Sequence, residues 1–231
     1  MTSLLRVGGI TPLTTIDYPG ELAAVVYCQG CPWRCRYCHN AHLLDSDDGV
    51  VDWCAVQTFL EHRRGLLDGV VFSGGEPTAQ RGLGEAIDLV RGLGYKVGLH
   101  TAGCYPERLA AWLPALDWVG LDIKAAPEDY ATLTGLAGSG ERAWRSLRLL
   151  RDAGVSYEVR ITVHDALLPP PRLDALIARL HDADVGPLML QRCRSDNMLD
   201  AALGDNAGGW GGAARWQVGC APPDVTRRAD A

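Results

Sequence analysis

Six short apolar runs alternate with amphipathic stretches through most of this chain, and that alternation limits the folds open to it. The runs cover 22–27, 69–72, 96–99, 118–121, 156–163 and 186–190, each rich in Val, Ile, Leu or Tyr. The stretches at 51–67, 81–93, 106–113, 141–153 and 171–182 carry apolar residues at helical spacing. In the last of them Leu173, Leu176, Ile177 and Leu180 share one face. Strands alternating with helices imply parallel β/α units. A chain of 231 residues accommodates six such units; a closed eightfold barrel typically needs about 250 residues. The expected fold is α/β: a partial (β/α)6 barrel of parallel strands, or an open parallel sheet. It occupies 1–199. Residues 200–231, with AGGWGGAA and APPD, read as a flexible Gly/Ala-rich C-terminal tail that Trp210 or Trp216 could anchor.

Composition narrows the class. The formal net charge of -6 disfavours a nucleic-acid binder that works through a broad basic surface. No apolar run is long enough to span a membrane. The first twenty residues hold one Arg and no continuous apolar stretch, so no secretory signal is expected. The eight cysteines then belong to a reducing cytoplasm, where a cluster of them points to metal or catalysis before disulfides.

Four of the eight fall in YCQGCPWRCRYCHN, as Cys28, Cys31, Cys35 and Cys38. Three readings compete. Zinc could take all four as tetrahedral thiolates, although the two spaced Cys hairpins usual for zinc are absent. A ferredoxin-type cluster needs two C-x2-C steps and a remote fourth Cys. The third reading uses only Cys31, Cys35 and Cys38: three thiolates hold three irons of a [4Fe–4S] cube, and the fourth iron stays open to a ligand. Cys28, at the end of the first run, then reads as a buried structural thiol.

Other strand ends carry polar motifs too. Ser73-Gly74-Gly75-Glu76-Pro77 follows the second run; its glycines allow backbone close to a ligand, and Glu76 offers an acceptor for an ammonium. His100-Thr101 ends the third and Asp122-Ile123-Lys124 the fourth. Glu158 and Arg160 alternate in the fifth, and Gln191-Arg192 follows the sixth. In a β/α fold these ends converge on one mouth.

With an aromatic, Tyr37, before its last Cys, CPWRCRYC resembles the cluster motif of the radical S-adenosylmethionine (SAM) enzymes, and GGEP resembles their GGE motif. TIDYPG before the first run, Cys-His-Asn at 38–40 and DIK are similar to the glycyl-radical-enzyme activases, in the pattern of those serving the anaerobic ribonucleoside-triphosphate reductase. The resemblance implies a [4Fe–4S] cluster on Cys31, Cys35 and Cys38, and SAM on its open iron. It implies that Tyr37 and Asn40 lie near SAM, and that Gly74, Gly75 and Glu76 hold its amino end. Thr101, Asp122 and Lys124 would line its carboxylate and ribose side. Arg160 would reach the carboxylate or ribose, and Gln191 the adenine. A glycyl radical enzyme would be the partner, and flavodoxin or ferredoxin the electron donor. One position departs: where related activases often have an Asp that helps bind a monovalent cation, this chain has His100. That residue could bond SAM or an incoming chain, or be a strand-end histidine satisfied by backbone.

Two rivals stand beside this reading. One is a radical SAM enzyme acting on a small molecule, as in modified-base biosynthesis. The other is a non-enzymatic iron–sulfur or zinc module that uses Cys28 as a fourth ligand.

Overall fold

A computed structural model of the chain describes residues 5–194, 196–204 and 225–228. Eight strands form one sheet in simple chain order. β1 (Val7–Thr14) runs antiparallel to β2 (Ala23–Cys28). From β2 onward, β3 (Gly69–Gly74), β4 (Lys96–Thr101), β5 (Trp118–Asp122), β6 (Ser156–Val163), β7 (Leu188–Arg192) and β8 (Val225–Arg228) are all parallel. The connections carry α1 (Trp53–His62), α2 (Leu83–Gly92), α3 (Pro106–Trp112), α4 (Tyr130–Thr134), α5 (Ser139–Asp152) and α6 (Pro170–Asp182). Strands in unbroken order wind as a partial barrel, since a doubly wound sheet would reverse its order. The six expected parallel strands are β2 to β7.

Three elements add to that expectation. β1 contains Gly8, Gly9 and Pro12, which read as turn residues. Pro is tolerated there because β1 is the edge strand of the sheet, bridged on its outer side only at Val7, and the β1–β2 register shifts between Thr11 and Thr14. α4 is a five-residue helix closed by Gly135 at φ +73. β8 pairs with β7 from within the segment read as tail, and Ala201–Leu203 forms a 3-10 turn. Trp210 and Trp216 lie outside the described residues.

Alternation within the strands sorts side chains into two layers. Val26, Phe72, Leu99, Leu121 and Ile161 pack towards the helices in the main core. Ala23, Val25, Val71 and Trp118 face the concave side with Tyr18. Strands buried on both faces read as continuous apolar runs, which is why they were legible. Tyr18, from the β1–β2 connection, stacks on Trp118 at 5.5 Å and 25°. It also presses on Gly69 and Gly98, where an added Cβ would stand 3.1 and 3.3 Å from its ring. Gly69 and Trp118 begin their strands, so Tyr18 plugs the amino end of the barrel and leaves the carboxyl ends as the mouth. Among the described residues no helix is long and apolar enough to cross a membrane.

At the mouth, the end of β3 is joined to the segment leaving β2. Gly75 N donates to Cys28 O and Glu76 N to Gly30 O, both at 2.9 Å, extending the parallel ladder past its last pair. Gly74 sits at φ +109, and a Cβ on Gly75 would stand 2.5 Å from Gly30 O and 2.8 Å from Leu43 O. The close approach these glycines permit is therefore to protein backbone. Gly75→Ala is expected to cost about 1–3 kcal/mol, because the obstructing atoms are main chain and cannot rotate away. Gly92→Ala, exposed at the end of α2 with nothing within 4 Å, is expected to be neutral or to stabilise by up to about 1 kcal/mol. Denaturant unfolding of both variants measures the contrast; equal effects would contradict it.

Candidate active site at the carboxyl ends of the strands

The cysteine loop leaves β2 after Cys28, whose thiol is buried in the core between sheet and helices. Gly30 N and Cys31 N donate to Leu43 O and Leu44 O, at 2.8 and 3.0 Å, which closes the neck of the loop. Inside it, Cys38 N donates to Cys35 O at 2.9 Å. Arg34 N and Arg36 N donate to Thr134 O and Leu133 O of α4, both at 3.0 Å. The last carbonyls of a helix lack partners within it, and here the cysteine loop supplies them. Trp33 is buried edge-on to Tyr130, 5.9 Å between centroids.

Cys31, Cys35 and Cys38 share this loop, and none of them is exposed. Burial pushes the Cys31 thiol up to about 12, helped by the charge of Glu76. Burial also raises Cys35, to about 11, against the opposing pull of Lys124. These thiols stay protonated until a cation displaces the protons. Among the described residues no three His, Cys, Asp or Glu side chains close around a single ion position; thiolates on separate irons of a cube need no such convergence. The Trp33 Nε1 and Tyr37 hydroxyl groups are buried without a hydrogen-bond partner. Buried polar groups are ordinarily paired, so the loop holds donors that its own fold does not use.

Glu76 has no solvent exposure. Its Oε1 accepts from Thr78 N at 3.0 Å, Thr78 Oγ1 at 2.6 Å and Thr101 Oγ1 at 2.7 Å, and its Oε2 accepts from Ala102 N at 2.9 Å. One carboxylate thus ties the end of β3 to the end of β4. Thr101, read as a ligand-lining residue, spends its hydroxyl on Glu76.

Lys124 is buried, with its ammonium 3.2 Å from Asp122 Oδ2 and 5.4 Å from the centre of the Tyr37 ring. Burial disfavours its charge, yet Tyr37, Asp122 and Cys35 outweigh burial and hold it above the usual lysine range. Its backbone N–H donates to the Tyr130 hydroxyl at 2.9 Å. Tyr130 thereby links the DIK segment to Trp33.

Below the mouth, Arg160 is turned into the barrel. Its Nε donates to Glu158 Oε1 at 2.9 Å, its Nη2 lies 2.6 Å from His100 Nε2, and its guanidinium lies 5.2 Å from the Trp118 ring centre. His100 Nε2 is 2.8 Å from Asp17 O and its Nδ1 3.3 Å from Ser73 Oγ. Of the expected set, Cys31, Cys35, Cys38, Tyr37, Glu76, Thr101, Asp122 and Lys124 come together. Arg160 joins Glu158 and His100 as a floor. Asn40 is exposed at the start of a 3-10 turn, and Gln191 is half-buried on β7 in register with Thr162.

Sequence reading missed Thr78, Tyr130, Gln29 and Gln80. Gln80 Nε2 donates to Arg6 O and Gln29 O, and Gln29 Nε2 donates to His42 O and Asp45 O. A lone glutamine outside any motif gives no signal that its partners are distant carbonyls.

The model of the radical SAM superfamily matches residues 25–170. A protein of Methanocaldococcus jannaschii, whose name proposes it as a glycyl-radical enzyme activating enzyme, is 27% identical over 199 residues, 78% of this chain and 77% of its own. The pyruvate formate-lyase-activating enzyme of Clostridium pasteurianum is 30% identical over 166 residues, 67% of each. A PqqA peptide cyclase of Gluconobacter oxydans is 32% identical over 142 residues, 58% of this chain and 39% of the cyclase. Among solved structures, anSMEcpe with bound S-adenosylmethionine superposes with a TM-score of 0.59 at 17% identity, over 71% of this chain and 49% of that one. QueE of Escherichia coli superposes at 0.54 and 17%, over 81% and 84%. Both support the same fold. The chain is an enzyme of the radical SAM superfamily, whose members use a [4Fe–4S] cluster and S-adenosylmethionine.

Proposed function

We propose that this enzyme activates a glycyl radical enzyme, the anaerobic ribonucleoside-triphosphate reductase, in a cytoplasm at low oxygen. The observation that carries the reading is one mouth where the loop bearing three thiols sets Cys31 by Glu76 and Cys35 by Lys124 with Asp122. The similarity to activating enzymes over most of the chain supports the choice of substrate class.

In this reading Cys31, Cys35 and Cys38 hold the cluster. SAM presents an ammonium and a carboxylate on one carbon, and the mouth offers a charge of each sign. Glu76 faces the ammonium; its Oε1 accepts from Thr78 and Thr101 and its Oε2 from Ala102 N, with the Cys104 thiol hydrogen-bonded to the same carboxylate. Lys124 faces the carboxylate, Tyr37 and Asn40 border the ligand, and Gln191 lies on the adenine side. Thr101 acts by orienting Glu76. Gly74 and Gly75 hold Glu76 against the cysteine loop. Arg160, engaged by Glu158 and His100, forms the floor beneath. A cluster and SAM held there would supply a carbon-centred radical able to remove a hydrogen from a glycine Cα of the partner. The residues around it keep water out and fix orientation, since such a radical attacks any C–H bond within reach. Flavodoxin or ferredoxin would deliver the electron.

Anaerobic reconstitution separates the three-cysteine reading from its rivals. Cys31→Ala, Cys35→Ala and Cys38→Ala are each expected to lose the visible absorbance of the cluster, while Cys28→Ala retains it. Loss in Cys28→Ala with retention in Cys35→Ala would overturn the assignment. The substrate is tested by mixing the loaded enzyme with SAM, a reductant and the reductase. A glycyl doublet in the electron paramagnetic resonance spectrum of the reductase is expected. Turnover of a small molecule with no partner present would defeat the activase reading and leave the superfamily chemistry intact.

A further inference from the structure

The chain after β7 returns across the cysteine loop. Leu199 N donates to Cys38 O and Asp200 N to Arg36 O, both at 2.9 Å. Asp200 Oδ2 accepts from Arg36 Nε at 2.8 Å, an ion pair with both side chains partly exposed. Asp200 Oδ1 accepts from Ala202 N at 3.0 Å, so the carboxylate also caps the 3-10 turn that follows. Further up the same segment, His39 Nδ1 lies 3.1 Å from Asp196 O. A carbonyl only accepts, so that ring nitrogen is the donor, and Nε2 lies 3.7 Å from Cys193 Sγ.

Arg36 therefore has two anchors. Its N–H is held by Leu133 O of α4 and its carbonyl and guanidinium by Asp200. Arg36 stands between Cys35 and Cys38 in sequence, so whatever fixes Arg36 fixes the separation of two thiols. The loop packs Trp33, Cys35 and Tyr37 into the core, but Arg36 itself is only half-buried, and these polar contacts hold it. Fixing a backbone carbonyl and a side chain of one residue through one aspartate removes several of its freedoms at once.

We infer that Asp200 is a positioning residue for the cluster: through Arg36 it clamps the Cys35–Cys38 arm of the loop, and so sets how firmly the cluster is held. The inference rests on the three-cysteine reading above. It takes Asp200 out of the tail and makes it part of the site's support.

The test uses the reconstituted holoenzyme and three variants, Asp200→Ala, Asp200→Asn and Asp200→Glu. Cluster loss to an excess iron chelator is followed by visible absorbance, with the spectrum of the reduced cluster recorded with and without SAM. Asp200→Ala and Asp200→Asn are expected to lose the cluster about two- to fivefold faster, the range for a partly exposed ion pair. Asp200→Glu is expected to recover most of the difference. Should Asp200→Ala fail to fold, Asp200→Asn decides, since it keeps the shape and the cap on Ala202. Equal loss rates and unchanged spectra would overturn the inference, even if thermal unfolding of the apoprotein is lowered. A wild-type chain that takes up no cluster, or a Cys35→Ala chain that keeps it, would instead overturn the reading on which the inference stands.

Discussion

A carboxylate with no exposure to solvent organises the mouth of this barrel. Burying an unpaired charge is prohibitive, and Glu76 is stable where it lies because four donors from two successive strand ends converge on it. The requirement runs both ways. Glu76 needs Thr78, Thr101 and Ala102 in place, and those residues take their positions from the carboxylate. The turn that carries Glu76 is in turn bonded through Gly75 and Glu76 to Cys28 and Gly30, where the cysteine loop begins. Strand β4, strand β3 and the cysteine loop therefore share one polar joint. Its charge reaches Cys31, whose thiol it helps to raise, while Lys124 pulls Cys35 the other way.

The glycines and aromatics of the chain divide along the same axis. At the amino end, Gly69 and Gly98 make room for the Tyr18 ring, which stacks on Trp118 and fills the barrel. At the carboxyl end, Gly74 and Gly75 make room for backbone. Between them the Glu158–Arg160 pair is nearly enclosed and is tied to His100. A buried ion pair is weak support for stability, but a guanidinium that spans from Glu158 to His100 over Trp118 is a rigid partition. His100 Nε2 lies within hydrogen-bond reach of both the Asp17 carbonyl, to which it can donate, and the Arg160 guanidinium, from which it can accept, and one ring nitrogen serves one of them at a time.

The sequence revealed what repeats and what is apolar on both sides. Strands β2 to β5 and β7 carry apolar runs because both faces are covered, while β6 alternates its apolar residues with Glu158, Arg160 and Thr162, and five of the helices carry apolar residues at helical spacing. The strand-end motifs were legible because topology sends every parallel strand to the same end. Elements of few residues were not legible. α4 offers only Tyr130 and Leu133 as buried apolar residues at helical spacing, though it receives the cysteine loop. β1 hides behind two glycines and a proline that only an edge strand admits. The direction of a long side chain also escapes a motif. Arg160 alternates correctly on β6, yet nothing in the alternation says that it turns to Glu158 and His100.

These constraints fix the direction from which a substrate can come. Tyr18 and Trp118 fill the amino end, and Arg160 with His100 closes the space above them. The helices cover the outer face of the sheet. Among the described residues, what stays open is the rim of strand carboxyl ends, and part of that rim is occupied by the cysteine loop, α4 and the segment from Asp196 to Asp200 that crosses the loop. A molecule wholly enclosed in the barrel finds its lower half already filled by side chains. A chain that offers one exposed backbone carbon at the rim needs no such volume. In the activase reading proposed above, a loop of the partner protein would dock on this rim, beside the Asp196–Asp200 segment that supports the cysteine loop.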